Sequence, residues 1–132
     1  MTITVDASVI VAVILNEPTK PALVRLTDGA ELQSPPSLPW EVGNALSALV
    51  RRKRIAPAQA LAALSAYQRI PVRLADIDLG EALLMATSHR IYAYDAFVLE
   101  CARRYRAPLL SLDQRQLDIA AAEEIDILPV AP

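Results

Sequence analysis

The sequence is short of the residues that carry soft-metal, redox and membrane chemistry. Its 132 residues include one cysteine, Cys101, and one histidine, His89. A lone cysteine forms no internal disulfide, which agrees with a reducing compartment. No long hydrophobic run is present: the longest spans Val9 to Leu15, far too short to cross a bilayer. That run follows an acid and lacks a basic segment before it, so it makes a poor export signal. The expectation is a cytoplasmic protein with no membrane role. Charge is also scarce, at 21% of residues against 54% hydrophobic, which excludes a disordered chain. The net charge of −2 is unevenly spread: both ends are net acidic and the stretch 51–106 is net basic. An acidic total is no signature of nucleic-acid binding, but the arginine-rich middle leaves it open. No internal repeat or low-complexity segment stands out, and the length suits a single domain over 1–132.

The most informative stretch is the first. Thr2-Ile3-Thr4-Val5 is wholly β-branched and reads as a buried strand. Asp6 follows at once, then a helix from Ala7 that Asn16-Glu17-Pro18 stops. A carboxylate at the carboxyl end of a central strand sits where open α/β sheets bind ligands. The plainer reading is a helix cap assisted by Ser8.

The remaining pattern alternates helices with short strands. A helix over Lys20–Thr27 closes at Asp28-Gly29, and Glu31–Gln33 reads as a strand. The proline-rich Ser34–Pro39 leads into a helix with an apolar row of Val42, Ala45, Leu46, Leu49 and Val50. Pro57 opens an alanine-rich helix, and Val72-Arg73-Leu74 is a weak strand. Asp76 is expected to cap a helix with Ile77, Leu79, Ala82, Leu83 and Ala86 inward, ending near His89. Another helix starts at Asp95, with Phe97, Val98, Cys101, Ala102 and Tyr105 inward and Arg103 and Arg104 outward. Strand 108–112, a helix from Gln114 to Ala122 and a last strand, Ile125–Leu128, complete the chain. This order predicts an α/β fold: a central, mostly parallel sheet with helices on both faces.

Four acids fit poorly as surface residues. Asp6 and Asp113 follow strands; Glu41 and Asp95 lie near helix starts. In a helix-covered parallel sheet those positions share one edge, so the four could converge. Buried like charges repel unless a cation or protons compensate. With no histidine or cysteine among them, the oxygen set suits Mg2+ or Mn2+ rather than zinc. Such ions act on phosphodiesters.

The residues that carry this pattern are Asp6-Ala7-Ser8 after the first strand, Glu41 within Trp40-Glu41-Val42-Gly43-Asn44, Tyr94-Asp95-Ala96 at a helix start, and Ser111-Leu112-Asp113 after a strand. In this order and spacing the chain resembles the PIN-domain ribonucleases, and in length and element order the VapC-type toxins of bacterial toxin–antitoxin pairs. The resemblance covers essentially the whole chain. It implies a Mg2+- or Mn2+-dependent endoribonuclease, a homodimer, and inhibition by a small VapB-like antitoxin. Carried over by position, Asp6, Glu41, Asp95 and Asp113 form the acidic quartet that binds the metal. Ser8 lies close by, Ser111 orients Asp113 or a metal water, and Asn44 supports Glu41 from one turn on. A nuclease that uses the 2′-hydroxyl as nucleophile often relies on histidines. Here His89 reads as a solvent-exposed cap, so water attacking phosphorus is expected, leaving 5′-phosphate and 3′-hydroxyl ends. A catalytically silent PIN-like interaction module is the alternative from another class. Haloacid-dehalogenase-type phosphatases need a second acid where Ser8 stands, and receiver domains need a lysine that is missing near the last strand.

Lesser features carry plainer expectations. Arg51–Arg54 reads as a solvated helix end, with RNA phosphates as the alternative. Among Arg90, Arg103, Arg104 and Arg106, one or two could flank the cleft. Tyr92 and Tyr94 are expected to pack beside the sheet and Trp40 to anchor local packing, with base stacking as the alternative. Asp118 reads as a surface acid, and Cys101 as a small core residue.

Overall fold

The β-branched start of the chain forms β1 (Thr2–Val5), the inner strand of a sheet completed by β2 (Glu31–Ser34), β3 (Val72–Leu74) and β4 (Leu109–Leu110). These strands come from a computed structural model that describes residues 1–131. Every pairing is parallel and the order is β3-β2-β1-β4. Parallel neighbours require long crossovers. Helices α1 (Ala7–Ile14) and α2 (Lys20–Thr27) link β1 to β2, and α3 (Leu38–Arg51) and α4 (Pro57–Gln68) link β2 to β3. Helices α5 (Leu79–His89) and α6 (Ala93–Tyr105) carry the chain back to β4, and α7 (Gln114–Ala122) follows.

The core is split by the sheet. Ile3, Val5 and Leu110 pack with α1 to α4, including Ile10, Leu23, Val42 and Leu46. Leu109 packs with α5 to α7, including Met85, Leu99 and Ile119. Adjacent strand residues face opposite ways, so Leu109 and Leu110 serve different cores. The expected helices on both faces are present. The chain runs outward from β1 to β3 and then returns to the other side of β1. This makes the carboxyl ends of β1 and β4 the topological switch point, where such sheets open a crevice. Asp6 leaves one of these ends and Ser111 the other.

Register places a polar row across the sheet. Thr4 pairs with Gln33, and Gln33 with Arg73. The Arg73 guanidinium donates to Gln33 Oε1 at 2.8 Å, Gln33 Nε2 donates to Thr4 Oγ1 at 3.0 Å, and that hydroxyl donates to the Ala107 carbonyl at 3.3 Å. Thr4 and Gln33 are fully buried, so each polar atom must find its partner inside this row.

Several boundaries differ from expectation. Asp78, not Asp76, caps α5 and accepts the Glu81 N–H at 3.0 Å. Residues before it stay extended because Ala75 N–H still bonds the Ser34 carbonyl. Ala82 and Ala86 face inward as expected, joined by Met85, while Leu79 and Leu83 face outward, 66% and 60% exposed. The small alanines let α5 lie close against α6. Tyr105 is at the surface, its hydroxyl donating to the Asp76 carbonyl at 2.6 Å. Arg103 is not a free outer residue: it reaches Glu81, Glu100 and Glu123 at 3.3–3.5 Å. The expected last strand is reduced to one parallel bridge, Leu109 with Ile127. Among the described residues, no helix is long and apolar enough to cross a membrane.

The polar row predicts a measurable cost. Gln33→Leu leaves Thr4 and Arg73 without their central partner and lowers unfolding free energy by about 1–3 kcal/mol. Urea denaturation reads this directly, and wild-type stability in the variant sinks the role given to the row.

Candidate active site

Asp6 is where strand β1 ends and α1 begins. Its N–H bonds the Leu110 carbonyl of β4 at 3.0 Å, so the backbone there is held by the sheet. Its carboxylate caps α1, accepting the Ser8 N–H at 3.0 Å on Oδ2. The residue is only 7% exposed. The cap and the acid at the strand end are therefore one residue with two oxygens, one for each task.

The chain after β4 is tied to this point by side chains. Ser8 Oγ accepts the Leu112 N–H at 3.1 Å. Ser111, buried, accepts the Asp113 N–H on its hydroxyl at 3.0 Å and donates to Gln116 Oε1 at 2.7 Å. Asp113 caps α7 through Oδ1, which accepts the Arg115 and Gln116 N–H groups. With its carbonyl oxygen held by Ser111, the Gln116 amide must point its N–H groups the other way. They reach Asp6 Oδ1 at 3.0 Å and Asp95 Oδ1 at 3.2 Å.

Glu41 and Asp95 enter from opposite faces of the sheet, in the first turns of α3 and α6. Glu41 accepts the Ser37 hydroxyl at 2.8 Å. Its carboxyl is pushed up to about 7. Burial is the main cause; the Ser37 bond opposes it, and the charges of Asp6 and Asp95 add to it. The Asp95 carboxyl is also raised, first by burial and then by Asp113 and Asp6, while Gln116 and Arg115 lower it. Asp6 and Asp95 thus act on Glu41, and Asp113 and Asp6 on Asp95. Among the described residues, no three acidic, histidine or cysteine side chains are gathered tightly enough to hold one ion. The Gln116 amide, between Asp6 and Asp95, occupies the centre with a neutral donor. A set of carboxylate oxygens without histidine or cysteine is the donor chemistry of a hard divalent cation, Mg2+ or Mn2+.

Beside Glu41 is a cleft of about 420 Å3 lined by Ala7, Trp40, Glu41, Asn44, Ala45 and Tyr94. Asn44 is exposed on this wall, and the side-chain hydrogen bond to Glu41 comes from Ser37 rather than from Asn44. The aromatic expectations are overturned: Trp40, Tyr92 and Tyr94 are 72%, 84% and 53% exposed. The first turns of α3 and α6 turn their acids inward and so their neighbouring rings outward. His89 is no free cap, since Nε2 lies 2.8 Å from Glu123 Oε1. Arg51–Arg54 and Asp118 are exposed, as expected. Cys101 is fully buried in the core.

Sequence reading missed Gln116, Ser37 and Arg115. Gln116 is a polar residue at the inward position of the first turn of α7, three residues after Asp113, and that placement was its only signal. Arg115 is anchored at the rim by donating to the Arg90 carbonyl at 2.9 Å.

Two outcomes follow. Gln116→Leu strips a shared donor from two carboxylates and costs about 2 kcal/mol in chelator, read by denaturation; an unchanged midpoint removes Gln116 from this role. Glu41 sets a pH dependence. Between 4.5 and about 7 the folded chain keeps a proton that the unfolded chain has released. The stabilising contribution of protonated Glu41 is complete below that window and is lost as pH rises through it. In chelator, wild type should lose stability relative to Glu41→Gln from about pH 5 to about pH 7.5. A difference that stays constant with pH contradicts the burial of this acid.

Comparison with known proteins points one way. The structure is similar to the crystal structure of PAE2754 from Pyrobaculum aerophilum, with TM-score 0.69, 24% identity, and coverage of 90% of this chain and 87% of that one. It is also similar to Mycobacterium tuberculosis VapC20, a sarcin–ricin loop cleaving toxin, with TM-score 0.65, 18% identity, and coverage of 96% and 99%. A search of curated proteins gave no match. The family model for the PIN domain matches residues 3–122. PIN domains are generally nucleases. The stretch from β1 to the end of α7 is what that match spans, and the chain belongs to the PIN domain family.

Proposed function

We propose that the chain is a metal-dependent endoribonuclease of the VapC toxin type, acting in the cytoplasm and restrained by a small VapB-like antitoxin. The observation that carries this reading is the grouping of Asp6, Glu41, Asp95 and Asp113 at the topological switch point, where the charges of Asp6 and Asp95 act on Glu41 and those of Asp113 and Asp6 on Asp95. An RNA substrate is carried over from the likeness to a sarcin–ricin loop cleaving toxin.

Asp6, Glu41, Asp95 and Asp113 would hold Mg2+ or Mn2+. When bound, the ion supplies a Lewis acid for the phosphodiester and a water acidic enough to ionise near neutral pH. The protein's own part is orientation. Ser8 keeps its N–H on Asp6 and its hydroxyl on Leu112, which fixes β1 and the 111–113 segment together. Ser111 and Gln116 aim Asp6 and Asp95 at a common point. Without an ion Glu41 holds its proton up to about pH 7, and a bound cation would favour its ionised form. Arg115 at the rim offsets part of that charge against an incoming polyanion.

Two apolar surfaces are available to a second copy and to an antitoxin. One is the outward row Leu79, Leu83 and Leu84 on α5. The other is a cleft of about 400 Å3 between α3 and α4, lined by Leu46, Val50, Pro57, Leu61 and Leu64 among others. Both support the homodimer and the antitoxin complex.

The test is cleavage of RNA by the purified chain with and without a divalent ion. Cleavage is expected only with Mg2+ or Mn2+, leaving 5′-phosphate and 3′-hydroxyl ends. Asp95→Asn should lower the rate by about 10²–10³-fold. Cleavage that survives chelation, or that Asp95→Asn leaves intact, sinks the mechanism. A folded chain that never cuts RNA under any divalent ion favours the silent interaction module.

A further inference from the structure

Trp40 and Tyr94 occupy equivalent places. Each stands one residue before an acid of the site, Glu41 or Asp95, in the first turn of its helix. Successive helical residues are about 100° apart, so each ring lies beside its acid and on the outer side. The two rings come from opposite faces of the sheet and line one cleft, whose inner wall is Glu41. They are 72% and 53% exposed. Tyr94 is braced: Phe97 packs edge-on against it, centroids 5.6 Å apart at 84°. Asn44, four residues after Trp40, covers the same helix face and brings an amide with both a donor and an acceptor. Small Ala7 and Ala45 leave the remaining wall open.

We propose that this cleft is a nucleobase subsite, taking one unpaired base of single-stranded RNA against Trp40 and Tyr94, next to the phosphate that meets the acids. The proposal rests on the nuclease reading for its choice of RNA. Its volume, about 420 Å3, falls in the range of small-molecule sites. The chemistry is what an acidic site needs. Four carboxylates attract no polyanion by themselves, whereas a ring face binds any base whatever the local charge. A duplex does not fit, since its bases are already stacked on one another. The Asn44 amide offers an edge contact that can favour one base over others.

Trp40 is the only tryptophan in the chain, so its emission reports this cleft alone. The experiment titrates hexamers of uridylate and of adenylate in chelator at low salt, beside a longer G·C-rich blunt RNA duplex that stays paired under those conditions. A saturable quench is expected with the single strands and not with the duplex. With Mg2+, Trp40→Ala should raise KM by roughly tenfold, more than it lowers kcat, and Trp40→Phe should recover most of the loss. Trp40 is a surface residue, so an unchanged melting curve accompanies the effect. Absence of a quench up to the concentration that saturates cleavage overturns the subsite, as does an equal quench by duplex. An unchanged KM in both Trp40→Ala and Tyr94→Ala also overturns it. Emission that responds to a partner protein but to neither oligonucleotide assigns the cleft to that protein instead, against the proposal. If the chain cuts no RNA, the nuclease reading fails, and the chelator titration still decides the subsite by itself.

Discussion

Burial of Glu41 and Asp95 beside other carboxylates at one sheet edge is the constraint on which the site depends. Asp6 stands at a strand end, Glu41 and Asp95 approach from opposite sheet faces, and Asp113 caps the helix that follows β4. None of these positions is costly for an acid on its own, because all four lie at helix N-termini, which favour negative charge. The cost appears only where they meet. Burial and shared charge then push Glu41 up to about 7 and raise Asp95 as well. The fold answers with donors: Gln116 between Asp6 and Asp95, Ser37 on Glu41, and backbone N–H groups on Asp6 and Asp113. On Glu41, Asp95 and Asp113 these donors engage one carboxylate oxygen, whereas Asp6 uses both.

Holding such a group in place requires a stiff floor. The parallel sheet supplies it, and the row from exposed Arg73 through buried Gln33 and Thr4 to the Ala107 carbonyl ties β3, β2 and β1 to the segment leading into β4. A polar row in a core is tolerated only when every member is satisfied, and such rows specify register as a result. The same logic appears between the helices, where Arg103 gathers Glu81, Glu100 and Glu123 from α5, α6 and the end of α7.

Most of the architecture was legible because it depends on short-range rules. The β-branched Thr2–Val5, the acid immediately after it and the alternation of helices with strands lead to a parallel sheet without further information. The four acids were legible for the same reason: each breaks a local pattern. What escaped were features that depend on distant partners. Gln116 looks like any polar residue until Ser111 fixes one end of its amide. Arg103 looks like surface until three acids from neighbouring helices surround it. Leu79 and Leu83 have helical spacing, but α5 packs through the adjacent row Ala82, Met85 and Ala86, which leaves both leucines outside. Trp40 and Tyr94 are large and apolar, and composition alone assigns such rings to the interior; only the inward aim of Glu41 and Asp95 turns them out.

The link between Asp6 and Gln116 joins residues 110 apart in sequence. Ser8 and Leu112 are 104 apart. The two halves of the acid group are therefore strangers along the chain, and loop closure over such distances comes late in folding. A nascent chain emerging from the ribosome carries Asp6 first and must wait for nearly the whole message before the partner segment exists. Premature termination anywhere before α7 yields a product without this centre. The spacing makes the acid group a property of the folded whole: it exists only where the segment 111–116 has returned to the start of the chain.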